Sequence, residues 1–274
     1  MKKTILITGS TDGIGLATAV TLLENGHRVL LHGRNQSKLD KVSDALRAQF
    51  GQRAVFSYCA DLSSAKAVYM LAKAVRDEHP HLDVLINNAG VFNLEQPRSV
   101  DNLDVRFMVN TIAPFILTQE LLICLTPHGR VVNLSSAAQA PFNADELSAL
   151  STLSDSAVYA KSKLALTMWS QSLGEKYKET GPMIVAVNPK SFLASKMVHE
   201  AYGMQGGNLQ QGADIVVSAA LCASFSDAGG RYFDNDIGRF TTPHNAASDT
   251  ARMDELIAVL NALFTKLREQ SHSQ

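Results

Sequence analysis

The chain begins with a strand and turn that set its architecture, Thr4-Ile5-Leu6-Ile7-Thr8-Gly9-Ser10-Thr11-Asp12-Gly13-Ile14-Gly15. The apolar, β-branched residues over Thr4–Thr8 predict a strand that is buried on both faces. A helical pattern follows from Ile14 to Asn25 and ends at Gly26. Glycines between strand and helix let the backbone turn tightly, and the N–H groups at a helix N-terminus favour an anion. Residues 9–15 therefore predict a cradle for a pyrophosphate.

The spacing of the glycines in this turn, G-x-x-x-G-x-G, leaves a second interpretation open. The commonest dinucleotide fingerprint is G-x-G-x-x-G, and a P-loop contains a lysine that is absent here. An ordinary glycine-rich turn is therefore the alternative. The position of the turn directly after an N-terminal strand favours the phosphate cradle.

Short apolar runs alternate with helical patterns along the rest of the chain. Further strands are predicted over 28–32, 54–59, 84–87, 130–134, 184–188 and 231–233, and further helices over 37–50, 64–78, 102–125, 156–179 and 211–224. Buried strands that are each followed by a helix predict an α/β fold with a doubly wound, mainly parallel sheet. Since neither a linker nor a repeat interrupts the pattern, residues 1–274 are predicted to form a single domain.

Two segments interrupt the alternation, and a final helix follows it. Residues 137–155 and 192–210 both come after strand ends, where open α/β sheets bind their ligands. The final helix, over 248–270, has an apolar stripe made of Leu256, Val259, Leu260, Leu263 and Leu267. The stripe predicts a surface helix that packs on the sheet layer, and a dimer seam is the alternative.

Composition and charge exclude several classes of protein. The 274 residues include 25 Lys and Arg against 26 Asp and Glu, so the formal net charge is −1. Because the chain contains no basic run either, we expect no nucleic-acid partner. The apolar runs are shorter than the roughly 18 residues of a membrane span. The apolar stretch at the start of the chain is also too short for a secretion signal.

The cysteines and acidic residues point to a cytoplasmic protein without a metal. Cys59, Cys124 and Cys222 are far apart and form no C-x-x-C pair, which is typical of reduced thiols in the cytoplasm. The run 234–236, Asp-Asn-Asp, resembles the opening of a calcium loop, but Asn245 stands where such a loop has its bidentate glutamate.

The end of the second predicted strand indicates which dinucleotide binds. An NAD site usually has an acidic residue here, which holds the 2′-hydroxyl of the ribose. Gly33 occupies that place, and Arg34 and Asn35 follow it. Because a guanidinium suits a 2′-phosphate, the sequence favours NADP over NAD, although Arg34 as a solvated surface charge is the alternative. Asp61-Leu62, after the third strand, would flank the adenine, or Asp61 would cap a helix.

Tyr159 and Lys163 lie four residues apart in a predicted helix and therefore on one face of it. A phenol with a pKa near 10 is a poor acid or base at pH 7, and a nearby ammonium lowers that pKa. A Y-x-x-x-K pair is common by chance, so its meaning depends on its neighbours.

Two further polar positions supply such neighbours. Ser136 ends the fifth predicted strand, where its hydroxyl could donate to a substrate carbonyl, with Ser135 as the second choice and a simple strand end as the alternative. Asn110 lies four residues before Pro114, which has no N–H to offer the Asn110 carbonyl. The freed carbonyl could hold a water that leads from Lys163 to solvent, or the proline only kinks the helix.

Together these motifs resemble the short-chain dehydrogenase/reductase family. The resemblance is carried in the family's order by Thr8-Gly9 to Gly15, Asn87-Asn88-Ala89-Gly90, Asn110, Ser136 and Tyr159 to Lys163. It covers nearly the whole chain and implies a Rossmann-like fold. It also implies an oxidoreductase that interconverts a carbonyl and an alcohol, and the residues after the second strand favour NADP as its cofactor. Homodimers or homotetramers are common in this family.

The resemblance also implies a role for each matching residue. Tyr159 would be the general acid/base, and Lys163 would hold the nicotinamide ribose and tune Tyr159. Ser136 would position the carbonyl, and Asn110 would anchor a proton-relay water. Asn88, Ala89 and Gly90 would line the adenosine side and support the fourth strand.

Two departures from the family pattern matter. The segment 137–155 is long, as in the retinol-dehydrogenase-like branch, and its apolar residues predict a wall above the site (Phe142, Leu147, Leu150 and Leu153). Pro189 would lie close to the nicotinamide, but Lys190 follows it where the family has glycine. Lys190 would turn outward, contact a cofactor phosphate, or crowd the pocket.

Two alternatives to the carbonyl reductase interpretation remain. One is a nucleotide sensor or scaffold without turnover, and the other is an epimerase with a tightly held cofactor. The loop 192–210 carries Leu193, Met197, Val198, Tyr202 and Met204 beside Gly206 and Gly207. It predicts a mobile lid over a mainly apolar ketone, aldehyde or secondary alcohol.

Overall fold

The structure is a computed structural model that describes residues 1–194, 203 and 206–272. One sheet forms its centre. Its strands lie in the order β3-β2-β1-β4-β5-β6-β7-β8, and β8 alone pairs antiparallel. The strands are β1 (Thr4–Ile7), β2 (Arg28–Gly33), β3 (Val55–Cys59), β4 (Leu82–Asn87), β5 (Leu125–Leu134), β6 (Met183–Asn188), β7 (Tyr232–Asp234) and β8 (Arg239–Thr241). The predicted doubly wound, mainly parallel α/β sheet in a single domain is confirmed.

Helices cover both faces of the sheet. They are α1 (Gly13–Glu24), α2 (Gln36–Phe50), α3 (Ala65–Glu78), α4 (Val105–Phe107), α5 (Ala113–Leu121), α6 (Asp155–Lys176), α7 (Leu209–Leu221) and α8 (Thr250–His272). One apolar core lies between the sheet and α3, α5 and α6, and the other between the sheet and α1, α2 and α7. Within the described residues, none of the helices is long and apolar enough to cross a membrane.

The strand order places a crevice at the carboxyl ends of β1 and β4. The chain runs outward through β1, β2 and β3, then returns to place β4 on the other side of β1. Connections leave β1 and β4 in opposite directions at this point, which opens a gap between them. The predicted cradle and the predicted catalytic residues are both attached to this edge of the sheet.

The prediction of one continuous helix over 102–125 is wrong, because the segment is interrupted and its second helix ends earlier than predicted. A π-helical turn, Met108–Ile112, separates α4 from α5, and α5 ends at Leu121. Pro114 lacks the N–H that a regular helical turn would need, so the helix widens here. Strand β5 begins at Leu125 rather than near Arg130, and β8 was not predicted.

The final helix was predicted to pack on the sheet layer, but in the structure it packs on other helices. Leu256, Leu260, Leu263 and Leu267 are buried in the core that contains α3, α5 and α6. The Tyr69 hydroxyl of α3 donates a hydrogen bond of 2.7 Å to the carbonyl of Phe264. The stripe is therefore an intrachain contact and gives no support to a dimer seam.

Replacing Leu260 by alanine tests this placement. Leu260 is 1% exposed, so Leu260→Ala is expected to lower the free energy of unfolding by about 2–5 kcal/mol. The exposed neighbour Asn261 provides the control, since Asn261→Ala is expected to change stability by less than about 0.5 kcal/mol. Urea unfolding measures both values. A wild-type unfolding midpoint that rises with protein concentration would favour the dimer seam instead.

Candidate active site

The turn between β1 and α1 is held rigidly by the loop after β4. The backbone N–H groups of Asn88 and Ala89 both donate to the Thr8 hydroxyl at 3.0 Å. The Asn88 side chain donates to the carbonyls of Thr8 at 2.8 Å and Gly9 at 2.9 Å. A Cβ on Gly15 would lie 2.3 Å from the Gly9 carbonyl oxygen, so this close approach requires glycine. Gly90 follows Ala89 in the same loop.

A buried histidine that sequence reasoning missed ties the same turn to β2 and β3. His32 Nδ1 accepts a hydrogen bond from the Gly9 N–H at 3.0 Å, and its Nε2 bonds to the Ala60 carbonyl at 3.0 Å. The Ser10 hydroxyl accepts from the His32 N–H at 2.9 Å. These partners require a neutral imidazole, and burial lowers its pKa to about 4. A lone polar residue in the apolar run of β2 was the available signal.

The N-terminus of α1 carries an ion pair beside the glycine turn. Asp12 caps α1 by accepting from the Gly13 N–H at 2.8 Å. Its second carboxylate oxygen pairs with Lys38 Nζ at 2.6 Å. Lys38 lies in the first turn of α2, which Asn35 caps, and sequence reasoning missed it. A cation is thereby placed between the cradle and the end of β2.

The Thr11 side chain lies close to Gly33 at the end of β2, which favours a glycine at this position. A Cβ on Gly33 would lie 2.6 Å from the Thr11 methyl carbon. An acidic side chain at this position would require the Thr11 side chain to shift, and the exposed Arg34 follows directly. The N–H groups at the N-terminus of α1 suit the pyrophosphate of a dinucleotide. Arg34 and Lys38, which follow the end of β2, are cations that suit a further phosphate.

The pair after β3 divides between surface and core. Asp61 is exposed and accepts from the Ser63 N–H at 2.9 Å, while Leu62 is 4% exposed and belongs to the core. Ser64 is the residue that caps α3, so the cap alternative for Asp61 is wrong. A contact of this pair with adenine stays a prediction.

Tyr159 and Lys163 lie on one face of α6, as predicted. The Lys163 Nζ is 5.7 Å from the centre of the Tyr159 ring, and the centre of the Phe92 ring is 4.8 Å from the same point. Lys163 is 4% exposed and donates to the Leu134 carbonyl at 2.7 Å. Burial lowers the pKa of Lys163 to about 8, so most of it is still an ammonium at pH 7.

Asn110 lies in the π-helical turn and faces α6. Its Oδ1 accepts from the Val91 N–H at 2.8 Å, and its Nδ2 donates to the Val91 carbonyl and to the Ser162 hydroxyl, both at 3.0 Å. The side chain therefore joins the loop after β4 to the helix of Lys163. Its predicted role in holding a relay water stays a prediction.

The two serines at the end of β5 differ in their surroundings. Ser135 is 4% exposed, and its hydroxyl is bonded to that of Thr167 at 2.5 Å. Ser136 is half-buried, and its hydroxyl accepts from the Ala138 N–H at 3.1 Å, which leaves its proton available to a ligand. This geometry supports Ser136 as the first choice of the two.

Beyond β6, the chain is held by the turn before β8. Lys190 is exposed, has φ = +128° and donates from Nζ to Gln211 at 2.9 Å. Of the three interpretations of Lys190, this is the outward one. Pro189 is buried, and its carbonyl accepts from Asn235 at 2.9 Å.

The two predicted segments over the site are only partly described. The ends of the loop 192–210 are joined, since Ala194 and Gly207 share a hydrogen bond of 2.8 Å and Gly207 donates to the Phe192 carbonyl at 2.7 Å. Met197, Val198, Tyr202 and Met204, on which the predicted lid depends, lie outside the described residues.

The segment 137–155 packs against α6. Phe142 and Leu147 are buried in the core, whereas Leu153 is 47% exposed. Glu146 forms an ion pair of 2.6 Å with Lys161 of α6. Half of the predicted apolar wall is therefore core.

In the described part of the chain, no three His, Cys, Asp or Glu residues are grouped as metal ligands. The two carboxylates of the run 234–236 instead accept from the Asn188 side chain at 2.8 and 2.9 Å. These bonds tie the end of β6 to the turn before β8.

A doubly wound sheet with a glycine turn and a Tyr–Lys pair at its carboxyl edge defines a class of α/β oxidoreductases. Residues 3–205 match the family model described as short chain dehydrogenase, and the chain belongs to this family.

Its relatives include human polyprenol dehydrogenase, 31% identical over 85% of this chain and 77% of that protein. Human retinol dehydrogenase 14 is 31% identical over 68% of this chain and 61% of that protein.

Solved structures of similar fold cover nearly the whole chain. An uncharacterised protein from Mycobacterium paratuberculosis has a TM-score of 0.77 and 25% identity, over 96% of this chain and 93% of that one. A short chain dehydrogenase from Burkholderia cenocepacia in complex with NADP has a TM-score of 0.70 and 25% identity, over 86% of this chain and 97% of that one.

The buried His32 leads to a prediction about stability and pH. Its pKa falls from 6.5 to about 4 on folding, so the unfolded chain takes up a proton first as pH falls through this interval. The free energy of unfolding should therefore decrease by an amount on the order of 3 kcal/mol between pH 6.5 and 4, beyond the effect of the carboxylates. The variant His32→Asn keeps an acceptor for Gly9 and should lose this part of the slope. Denaturant unfolding across the interval measures it, with the exposed His128→Asn as control. Identical slopes in wild type and His32→Asn would contradict the prediction.

Proposed function

We propose that this protein is an NADP-dependent oxidoreductase that interconverts a carbonyl and an alcohol, with Tyr159 as the general acid/base. The observation that carries the proposal is the buried Lys163, whose ammonium bonds to the end of β5 and lies 5.7 Å from the Tyr159 ring. A buried cation beside a phenol favours the phenolate, which lowers the pKa of the phenol toward 7.

The chain's own residues divide the work of such a reaction. The nicotinamide cofactor, when bound, supplies or accepts the hydride. Tyr159 delivers a proton to the carbonyl oxygen in reduction and removes it from the hydroxyl in oxidation. The free hydroxyl proton of Ser136 stabilises charge that develops on this oxygen. Lys163 keeps Tyr159 acidic and binds the ribose, while Asn110 holds the relay that resupplies the proton.

Turnover is favoured over the sensor alternative by the position of Lys190. Its side chain is exposed and bonded to Gln211, so it does not block the pocket.

The thiols of Cys59, Cys124 and Cys222 are free, which supports the cytoplasm as the compartment. A homodimer or homotetramer stays a prediction.

An apolar ketone, aldehyde or secondary alcohol is the proposed substrate. Phe92 packs beside the Tyr159 ring at 4.8 Å between centres, so an aromatic side chain neighbours the proposed acid/base, which supports an apolar substrate. The names of two relatives, polyprenol dehydrogenase and retinol dehydrogenase 14, agree with an alcohol substrate.

Replacement of Tyr159 by phenylalanine tests the mechanism. Tyr159→Phe should lower kcat by about 10³-fold or more, because the proton donor is lost while packing on Phe92 remains. The NADPH dissociation constant should change little. Steady-state kinetics on a panel of carbonyls and fluorescence titration with NADPH measure these effects. The control is Tyr177→Phe, since Tyr177 lies at the C-terminal end of α6, away from the site. Equal activity in Tyr159→Phe and wild type would refute the mechanism.

The preference for NADP is supported by the residues around the end of β2. Glycine rather than an acidic residue stands at position 33, against the Thr11 side chain, and the exposed Arg34 follows it, with Lys38 paired to Asp12 beside the cradle. The Burkholderia cenocepacia relative in complex with NADP agrees with this preference.

Removal of the guanidinium tests the preference. Arg34→Ala should weaken NADPH binding about 10- to 100-fold, since a hydrogen bond to a charged group contributes about 1.5–3 kcal/mol, and should leave NADH binding nearly unchanged. Fluorescence titration with both nucleotides measures the ratio. Arg53→Ala, which removes an exposed arginine before β3, is the matched control. An equal loss for both nucleotides would show that Arg34 does not read the 2′-phosphate.

A further inference from the structure

A charged cluster outside the cradle joins α4 to the first turn of α6. Arg106 is 2% exposed and donates twice to the fully buried Asp104, from Nε to Oδ1 at 2.9 Å and from Nη2 to Oδ2 at 2.7 Å. Its third nitrogen, Nη1, pairs with Asp155, whose side chain is 41% exposed. One guanidinium therefore bridges the carboxylate that caps α4 and the first residue of α6.

This ion pair lies about one helical turn from the proposed catalytic groups on both segments. Arg106 comes four residues before Asn110, and Asp155 comes four before Tyr159 and eight before Lys163. In the α-helix α6, residues at this spacing share a face. The face that presents the Tyr–Lys pair is therefore the face that the guanidinium holds.

Tyr159 lies between two points at which α6 is bonded to the segment 105–112. The first point is Asp155, and the second is Ser162, which accepts hydrogen bonds from the side chains of Asn110 at 3.0 Å and Thr111 at 2.8 Å. The two points are about 10 Å apart along the helix, at roughly 1.5 Å per residue. A helix bonded at both points has little freedom to rotate or slide at Tyr159.

We propose that the Arg106–Asp155 ion pair holds Tyr159 in its reactive position relative to Lys163 and the substrate, which makes both members of the pair positioning residues. The inference rests on the proposed function, because only a reacting phenol requires such a position. Stability alone is a poor explanation, since an ion pair with one partly exposed member contributes little to it.

The design of the variant follows from the burial of Asp104. Removing Arg106 would leave the Asp104 carboxylate buried without a counter-charge and would destabilise the fold. Asp155→Asn leaves the Arg106–Asp104 pair intact and removes only the ion pair to α6. A matched control is Asp249→Asn, which also removes a carboxylate at a helix start that pairs with an arginine, Arg252, at 3.3 Å and is 47% exposed.

The direction of the shift in the pKa of Tyr159 distinguishes a positioning role from a direct charge effect. The charged groups on the N-terminal half of α6 and on the segments bonded to it are Lys163, Asp155, Arg106 with Asp104, and the Glu146–Lys161 pair. If Asp155 acted only as a nearby negative charge, its removal would lower the pKa of the phenol. If it holds the phenol near Lys163, its removal lets the two separate and raises that pKa.

The experiment measures the phenol itself as well as turnover. Ultraviolet absorbance of the phenolate, taken as the difference between each protein and its Tyr159→Phe counterpart, follows the titration of Tyr159 without a substrate. In Asp155→Asn we expect its pKa to rise by about half a unit or more and kcat to fall about 10- to 100-fold. The NADPH dissociation constant should stay within about two-fold of wild type, and Asp249→Asn should match wild type throughout.

Two further variants keep the test independent of folding. Asp155→Glu retains the carboxylate and should recover part of kcat. Arg106→Lys keeps the charge opposite Asp104, but its single ammonium does not span both carboxylates, so the same upward shift is expected. Circular dichroism melting identifies any variant that is not folded.

The remaining outcomes separate this inference from the proposed function. A pKa of Tyr159 that is unchanged or lowered in Asp155→Asn, with wild-type kcat, would overturn the inference while the reductase stands. A wild-type protein that turns over no carbonyl or alcohol, yet shows the upward shift in Asp155→Asn, would overturn the proposed function and leave the positioning of the phenol supported.

Discussion

The hydrogen bond from the buried ammonium of Lys163 to the carbonyl of Leu134 is the contact on which the site depends. Taking an ammonium out of water is costly, and the lowered pKa of Lys163, about 8, reflects this cost. A hydrocarbon side chain would fill the same space with less penalty. The charge becomes useful only when an acidic partner, such as the phenol on the next turn of α6, lies beside it. The fold bears this cost at the carboxyl edge of the sheet, where its ligand would bind.

Neutral and ionic polar contacts hold the rest of this edge in place. Asn88 fastens the glycine turn to the loop after β4, and His32 fastens it to β2 and β3. Asn110 and Arg106 fasten the segment before α5 to α6. Each of these side chains is at least half-buried, so an unmade bond would be expensive, and the loops are confined to one arrangement. The edge is therefore preorganised before any ligand arrives.

The main features of the sheet and the glycine turn after β1 could be predicted because they depend on short-range patterns. Apolar runs, helical periodicity and a glycine turn are visible within a window of about 15 residues. Predictions failed where a local pattern was ambiguous. The apolar residues around 121–125 extend the helical pattern past the true end of α5, and the short β8 has too few residues to show an alternation. At the end of β5, two adjacent serines look alike in sequence, and their difference appears only once Thr167 is placed against Ser135.

The amino-acid order alone predicts the α/β class and the glycine turn, which depend on residues near one another, and the four candidate catalytic residues, which depend on their order along the chain. The folded arrangement was needed to pair His32 with Gly9, Lys38 with Asp12 and Arg106 with Asp155. These partners are separated by 23, 26 and 49 residues respectively. Which of them meet is set by how helices pack on the sheet, and that packing is a property of the whole core rather than of any one segment.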